Sequence, residues 1–99
     1  MTQKIQLHVE PVLKELVPAF LENRRRDLER MRVALVSGDL DTIRDVGQNI
    51  RAFSRVYGFD ELTALGEEIR CAADEQSTLR IVHLQGQLAD YLSRVEIGD

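Results

Sequence analysis

The chain has little of what usually betrays a function. One cysteine, Cys71, stands in 99 residues, so no internal disulfide can form and a reducing compartment is expected. No Cys-x-x-Cys or Cys/His metal spacing occurs. No uncharged apolar run approaches the ~18 residues of a membrane span, and the N-terminal "MTQKIQLHVEP" has no signal-peptide apolar region. A soluble, cytoplasmic protein is expected. Basic residues are not in excess: 13 Lys and Arg face 17 Asp and Glu, a net charge of −4. General nucleic-acid binding, which displaces counterions with a basic surface, is therefore not expected. Glycine-rich phosphate loops, paired catalytic carboxylates and activated nucleophiles are missing, so no enzyme, cofactor or metal site is read. Six glycines and two prolines are few enough to act as punctuation.

What is present is helical periodicity over a single domain, residues 1–99. Hydrophobic residues make up 43% of the chain, enough for one small core. From about Val12 to Ser37, Leu13, Leu16, Val17, Phe20, Leu28, Met31 and Leu35 recur at steps of mostly three and four. Pro18 should kink this helix or mark its true start. Gly38 ends it, and Asp39 or Asp41 can cap the next. The second helix runs from about Leu40 to Tyr57, with Ile43, Val46, Ile50, Phe53 and Tyr57 on one face beside Gly47 and Ser54; Gly58 stops it. The third runs from about Glu61 to Asp74 with Asp60 as N-cap. It carries Leu62, Leu65, Ile69 and Ala72, and Gly66 lets a neighbour approach closely. The fourth runs from about Thr78 to Val95, capped by Ser77, with Ile81, Leu84, Leu88, Leu92 and Val95 as its stripe. Ahead of them Ile5, Leu7 and Val9 alternate with polar residues, an extended arm with no partner strand, expected to cover an apolar edge. The fold class is all-α: an antiparallel up-down four-helix bundle with a short extended N-terminal arm.

The second helix carries the one unusual surface. At about 100° per residue its core face centres near Ile50, and Gln48 lies about 160° away. Arg44, Arg51 and Arg55 fall on this outer face, as do Asp41, Asp45 and the small Ala52. One reading is a solvated face laced by (i, i+4) ion pairs. The other is a docking surface for an acidic partner.

The remaining candidates read as structural. Arg24 and Asp27 fall close to the apolar stripe of the first helix; the arginine stem is expected to pack while its head snorkels to water. An ion-pair network with Glu10 or Asp60 is one option for them. Cys71 projects away from its helix's stripe and has no neighbour that would activate it. His83 is expected to be exposed on the fourth helix, and His8 lies in the arm. Neither histidine has an acid spaced for a triad or a metal set.

The order and spacing of these elements resemble a histidine phosphotransfer (HPt) domain of bacterial two-component phosphorelays. That family carries a pattern of the form A/G-H-x-L-K-G-x-x-x-x-x-G on its second bundle helix. Here the stretch reads Gly47, Gln48, Asn49, Ile50, Arg51, Ala52 and closes at Gly58. "PAFLENRRRDLERMRVAL", "GDLDTIRDVG", "YGFDELTALGEEIRCAAD" and "LADYLSRVE" resemble the first helix, the turn into the second, the third helix and the end of the fourth. The resemblance spans about Ile5 to Ile97.

The resemblance implies an exposed histidine that takes a phosphoryl group from a receiver's aspartyl phosphate, a lysine that steadies the charge, and a glycine that gives the receiver room. This chain departs at all three positions, with Gln48, Arg51 and Ala52. An amide nitrogen has its lone pair delocalised and only donates, so it cannot replace the imidazole nucleophile. Phe53, Ser54, Arg55 and Val56 also bring bulk where the family keeps smaller residues. The implied function is a monomeric pseudo-phosphotransfer module. It would dock a response-regulator receiver domain or a histidine kinase through Arg44, Gln48, Arg51, Ala52 and Arg55 without carrying phosphate, and would not bind nucleic acid or a membrane. The alternatives are a structural or oligomerisation bundle, with Val56 and Tyr57 as a dimer contact, and phosphotransfer through His83, where Gly86 stands in place of the family's lysine.

Overall fold

Proline and glycine set several of the helix boundaries. In the computed structural model, which describes residues 4–7 and 9–97, Pro11 opens α1 (Pro11–Lys14), a single turn. Pro18 sits in the first turn of α2 (Val17–Ser37), where its missing N–H leaves no hydrogen bond unmade. The expected first helix is therefore two helices parted at Glu15 and Leu16, and Pro18 marks the start of the long one. Gly38 closes α2 in the left-handed region at φ +72°. The Asp39 carboxylate accepts from the backbone N–H and the Oγ1 hydroxyl of Thr42, capping α3 (Leu40–Val56). Gly58, at φ +78°, turns the chain into α4 (Asp60–Asp74). The N-cap of α4 is Phe59, not Asp60: the Phe59 ring is fully buried and anchors the turn, which moves Asp60 into the first helical position. Its charge there favours the positive end of the helix dipole. Ser77 caps α5 (Thr78–Arg94) by accepting from the Arg80 N–H.

The chain is all-α, with five helices rather than four among the described residues. α2 packs on α3 and α5, and α4 packs on the same two. Val17, Met31, Ile43, Val46, Ile50, Phe59, Leu62, Ile69, Ile81, Leu84 and Leu88 fill the space between them. The N-terminal arm is not an unpaired strand. β1 (Ile5–Leu7) pairs in parallel with β2 (Val95–Ile97), Ile5 beside Val95 and Leu7 beside Ile97, which joins the segment before α1 to the segment after α5. Expectations placed on His8 lie outside the described residues.

Some stripe residues are not core. Leu16 and Phe53, on either side of a groove between α2 and α3, are each 53% exposed: Leu16 lies in the break between α1 and α2, and Phe53 sits at the margin of its stripe. Tyr57 is half-buried, its ring 4.5 Å from that of Phe20, which in turn meets Phe59 edge-on at 5.1 Å. Arg24 does not snorkel. It is 5% exposed, as is Asp27, and its Nε donates to Asp27 Oδ2 at 2.8 Å. The guanidinium lies 5.0 Å from the centre of the Phe20 ring and 5.1 Å from that of Phe53, so cation–π contact supports it on its apolar side. Its carboxylate partner is therefore Asp27, rather than Glu10 or Asp60. Arg30 reaches the other Asp27 oxygen at 3.5 Å. Burial pushes the Asp27 carboxyl above its usual range, and the charge of Arg24 offsets this only in part.

Candidate partner interface on α3

The face expected to be outward is outward. Gln48, Arg51, Ala52 and Arg55 are exposed and Arg44 is half-exposed, while Ile43, Val46, Gly47, Ile50 and Ser54 are buried behind them. The 3.6-residue period alone separates these two sets.

What holds the face in place is the contact between α3 and α4. A Cβ added to Gly47 would stand 2.6 Å from the Arg70 backbone nitrogen, and one added to Gly66 would stand 2.5 Å from that of Arg51. No side chain fits between the two helices at this crossing. The expected role of Gly66 is met, and Gly47 is its counterpart.

This close approach brings charge across from α4. Arg51 Nη1 lies 3.5 Å from Glu67 Oε2, and Arg44 Nη1 lies 3.6 Å from Asp74 Oδ1. Arg44 also reaches Asp41, one turn away on its own helix, at 3.4 Å. Between the two α4 acids stands Arg70, which donates to Glu67 Oε1 at 2.6 Å and to Asp74 Oδ2 at 2.9 Å. The Arg70 hydrogen bonds hold the Glu67 carboxyl below the usual carboxylate range. The surface is thus not a bare arginine cluster. It is a seam of alternating charge along α3 and α4, and among the described residues Arg55 alone of the three α3 arginines has no ion pair. Asp41, Glu67, Arg70 and Asp74 belong to the surface as fully as the arginines do. Sequence reasoning missed the α4 members, although Glu67, Arg70 and Asp74 stand at the steps of three and four that place them on one helix face.

Other candidates fall elsewhere. His83 is exposed on α5, and Gly86, three residues on, is exposed and open on its Cβ side. Cys71 does have a charged neighbour: Arg70 Nη2 is 3.5 Å from its sulfur, and its thiol faces Glu67 Oε1 at 3.7 Å. Tyr57 packs into the Phe20–Phe59 cluster, which removes it from the surface pair once read with Val56; Val56 itself is 66% exposed. Among the described residues no three acids, histidines or cysteines stand together as a metal site, and no helix is long and apolar enough to cross a membrane.

No protein-family model, curated protein or solved structure matches this chain.

Proposed function

We propose that the chain is a pseudo-phosphotransfer module of the HPt type. In this reading its four long helices form an antiparallel up-down bundle, and its α3 face docks a receiver domain or the helices of a sensor kinase without moving phosphate. The observation that carries it is the exposure of Gln48 at the centre of a face bordered by Arg44, Arg51 and Arg55. That is where the resemblance places a phosphoacceptor histidine. Gln48 offers a carbonyl oxygen and an amide donor but no nucleophilic nitrogen, so this position can hydrogen-bond a partner and cannot be phosphorylated through nitrogen. The small Ala52 beside it leaves room for a partner's backbone. The arginines favour an acidic pocket, raising the encounter rate and fixing orientation more than they add affinity.

Binding of the purified chain to a panel of receiver domains tests the proposal. Arg51→Glu and Arg55→Glu each weaken binding, and the affinity of the unaltered chain falls as salt rises. Affinity that ignores both changes across the panel rejects receiver docking.

A second reading, assembly of this chain with itself, draws on the exposure of Phe53 and Val56 along the same helix. Sedimentation that gives a monomer at all concentrations removes it. Transfer through His83 is the remaining alternative; acid-labile phosphate that disappears in a His83→Ala variant would establish it.

A further inference from the structure

We infer that Glu67 and Asp74 compete from within the molecule for the arginines that the α3 face offers a partner, so that this surface admits clustered carboxylates and discriminates against isolated ones. The inference rests on the docking reading above and adds to it the kind of partner selected and the residues that select.

Three relationships carry it. Arg51 and Arg44 already face carboxylates, Glu67 at 3.5 Å and Asp74 at 3.6 Å. Neither pair is locked, because all four side chains are between 40% and 47% exposed. Pairs of this exposure contribute about 0–1 kcal/mol, so they yield to a competing acid but still oppose it. Arg70 then fixes both acids in place, at 2.6 Å and 2.9 Å, and keeps them from swinging away from the seam. The backbone contact of Gly47 with Gly66 brings α3 and α4 close enough for these pairs to meet.

The consequence is graded access. Arg55, exposed and without an ion pair among the described residues, makes first contact. Arg51 and Arg44 join only when the partner brings enough negative charge to displace Glu67 and Asp74. A lone surface carboxylate gains Arg55 and nothing more, whereas a pocket with several carboxylates gains all three.

Inorganic phosphate titrated into the full chain, read by the NMR signals of the arginine Nε–H groups, tests this without any receiver. In the unaltered chain Arg55 responds and Arg44 and Arg51 respond weakly. E67Q/D74N also releases Arg70, so affinity is read arginine by arginine: Arg44 and Arg51 now respond as Arg55 does, and the affinity read at their own signals rises about fivefold, the equivalent of the ~1 kcal/mol ceiling for exposed pairs. The control D45N/E68Q removes the same charge from two exposed acids that have no ion pair among the described residues, and leaves Arg44 and Arg51 as they were. Equal response of the three arginines in the unaltered chain, or an equal gain from the control, overturns the inference. A receiver titration adds the second arm, in which E67Q/D74N binds about fivefold tighter. If no receiver binds either form, the docking reading fails, while the phosphate arm still decides whether the acids compete.

Discussion

Gly47 and Gly66 touch backbone to backbone. A Cβ on Gly47 would lie 2.8 Å from the Gly66 carbonyl oxygen, and a Cβ on Gly66 would lie 2.7 Å from that of Gly47. The contact is reciprocal, and it sets the spacing that lets Glu67 and Asp74 reach the arginines of α3. The packing of two residues without side chains thus determines the electrostatics of the surface above them.

Alanine at either position should be destabilising. Alanine favours a helix over glycine by about 1 kcal/mol, but here its Cβ would meet backbone atoms that cannot rotate aside, and overpacking costs about 1–3 kcal/mol or more. Gly47→Ala and Gly66→Ala are each expected to lose about 1–3 kcal/mol net in urea unfolding. Gly86→Ala, with nothing within 4 Å of its Cβ position, should gain about 0.5–1 kcal/mol. A stable Gly66→Ala variant would refute the close crossing.

The Arg24–Asp27 pair makes an asymmetric prediction. Removing one member leaves the other buried and unpaired, so Asp27→Ala should cost about 3–5 kcal/mol. Replacing both, Arg24→Met with Asp27→Leu, should recover most of that loss, since apolar side chains suit the space beside Phe20 and Phe53. Chemical denaturation of the two variants decides it; a double variant as unstable as the single one contradicts the account.

Tyr91 predicts an alkaline transition. Its ring is buried, its hydroxyl has no hydrogen-bond partner among the described residues, and burial, helped by Glu61 and Asp60, pushes its pKa up to about 12. The unfolded chain gives up this proton near the ordinary tyrosine value of about 10. Between these two values the folded state holds the proton that the unfolded state has lost, so stability falls as pH rises. Tyr91→Phe should remove this part of the alkaline loss. Near neutral pH it should be within about 1 kcal/mol of the unaltered protein, because no hydrogen bond is broken. Melting curves across pH 9–12 measure both effects.

Restoring the nucleophile tests the proposed ancestry of the α3 face. Gln48→His with Arg51→Lys places an imidazole, neutral at pH 7 through its pKa of about 6.5, on the outer side of α3 with a cation one turn on. Offered a phosphorylated receiver, this variant is expected to acquire acid-labile phosphate that the unaltered chain does not. A folded variant that binds the receiver and stays unphosphorylated would show that position 48 is not aligned for transfer.

Helix boundaries were legible because their causes are local. Asp39 and Ser77 reach N–H groups three residues on, and Gly38 and Gly58 adopt the left-handed turns that their sequence positions predict. The outward face of Gln48, Arg51, Ala52 and Arg55 was legible for the same reason: helical period sorts a surface from a core without reference to any other element. Periodicity is weakest at the margins of a stripe, where it misplaced Phe53, and it fails where a helix breaks, as it did at Leu16. Asp60 looked like a cap because its side chain suits one, but the buried ring of Phe59 decided the register of the turn.

By itself the sequence determined most places where helices start and stop, which side of each faces inward, and that an amide occupies the centre of an arginine-bordered face. Tertiary structure alone decided that β1 pairs with β2 from the far end of the chain, that Arg24 and Asp27 are buried together, and that Glu67 and Asp74 face Arg51 and Arg44. The physical reason is range. Capping and periodicity act within a few residues, whereas the charge that a guanidinium meets across a helix crossing depends on how closely two backbones approach, and at Gly47 and Gly66 only the folded packing sets that distance.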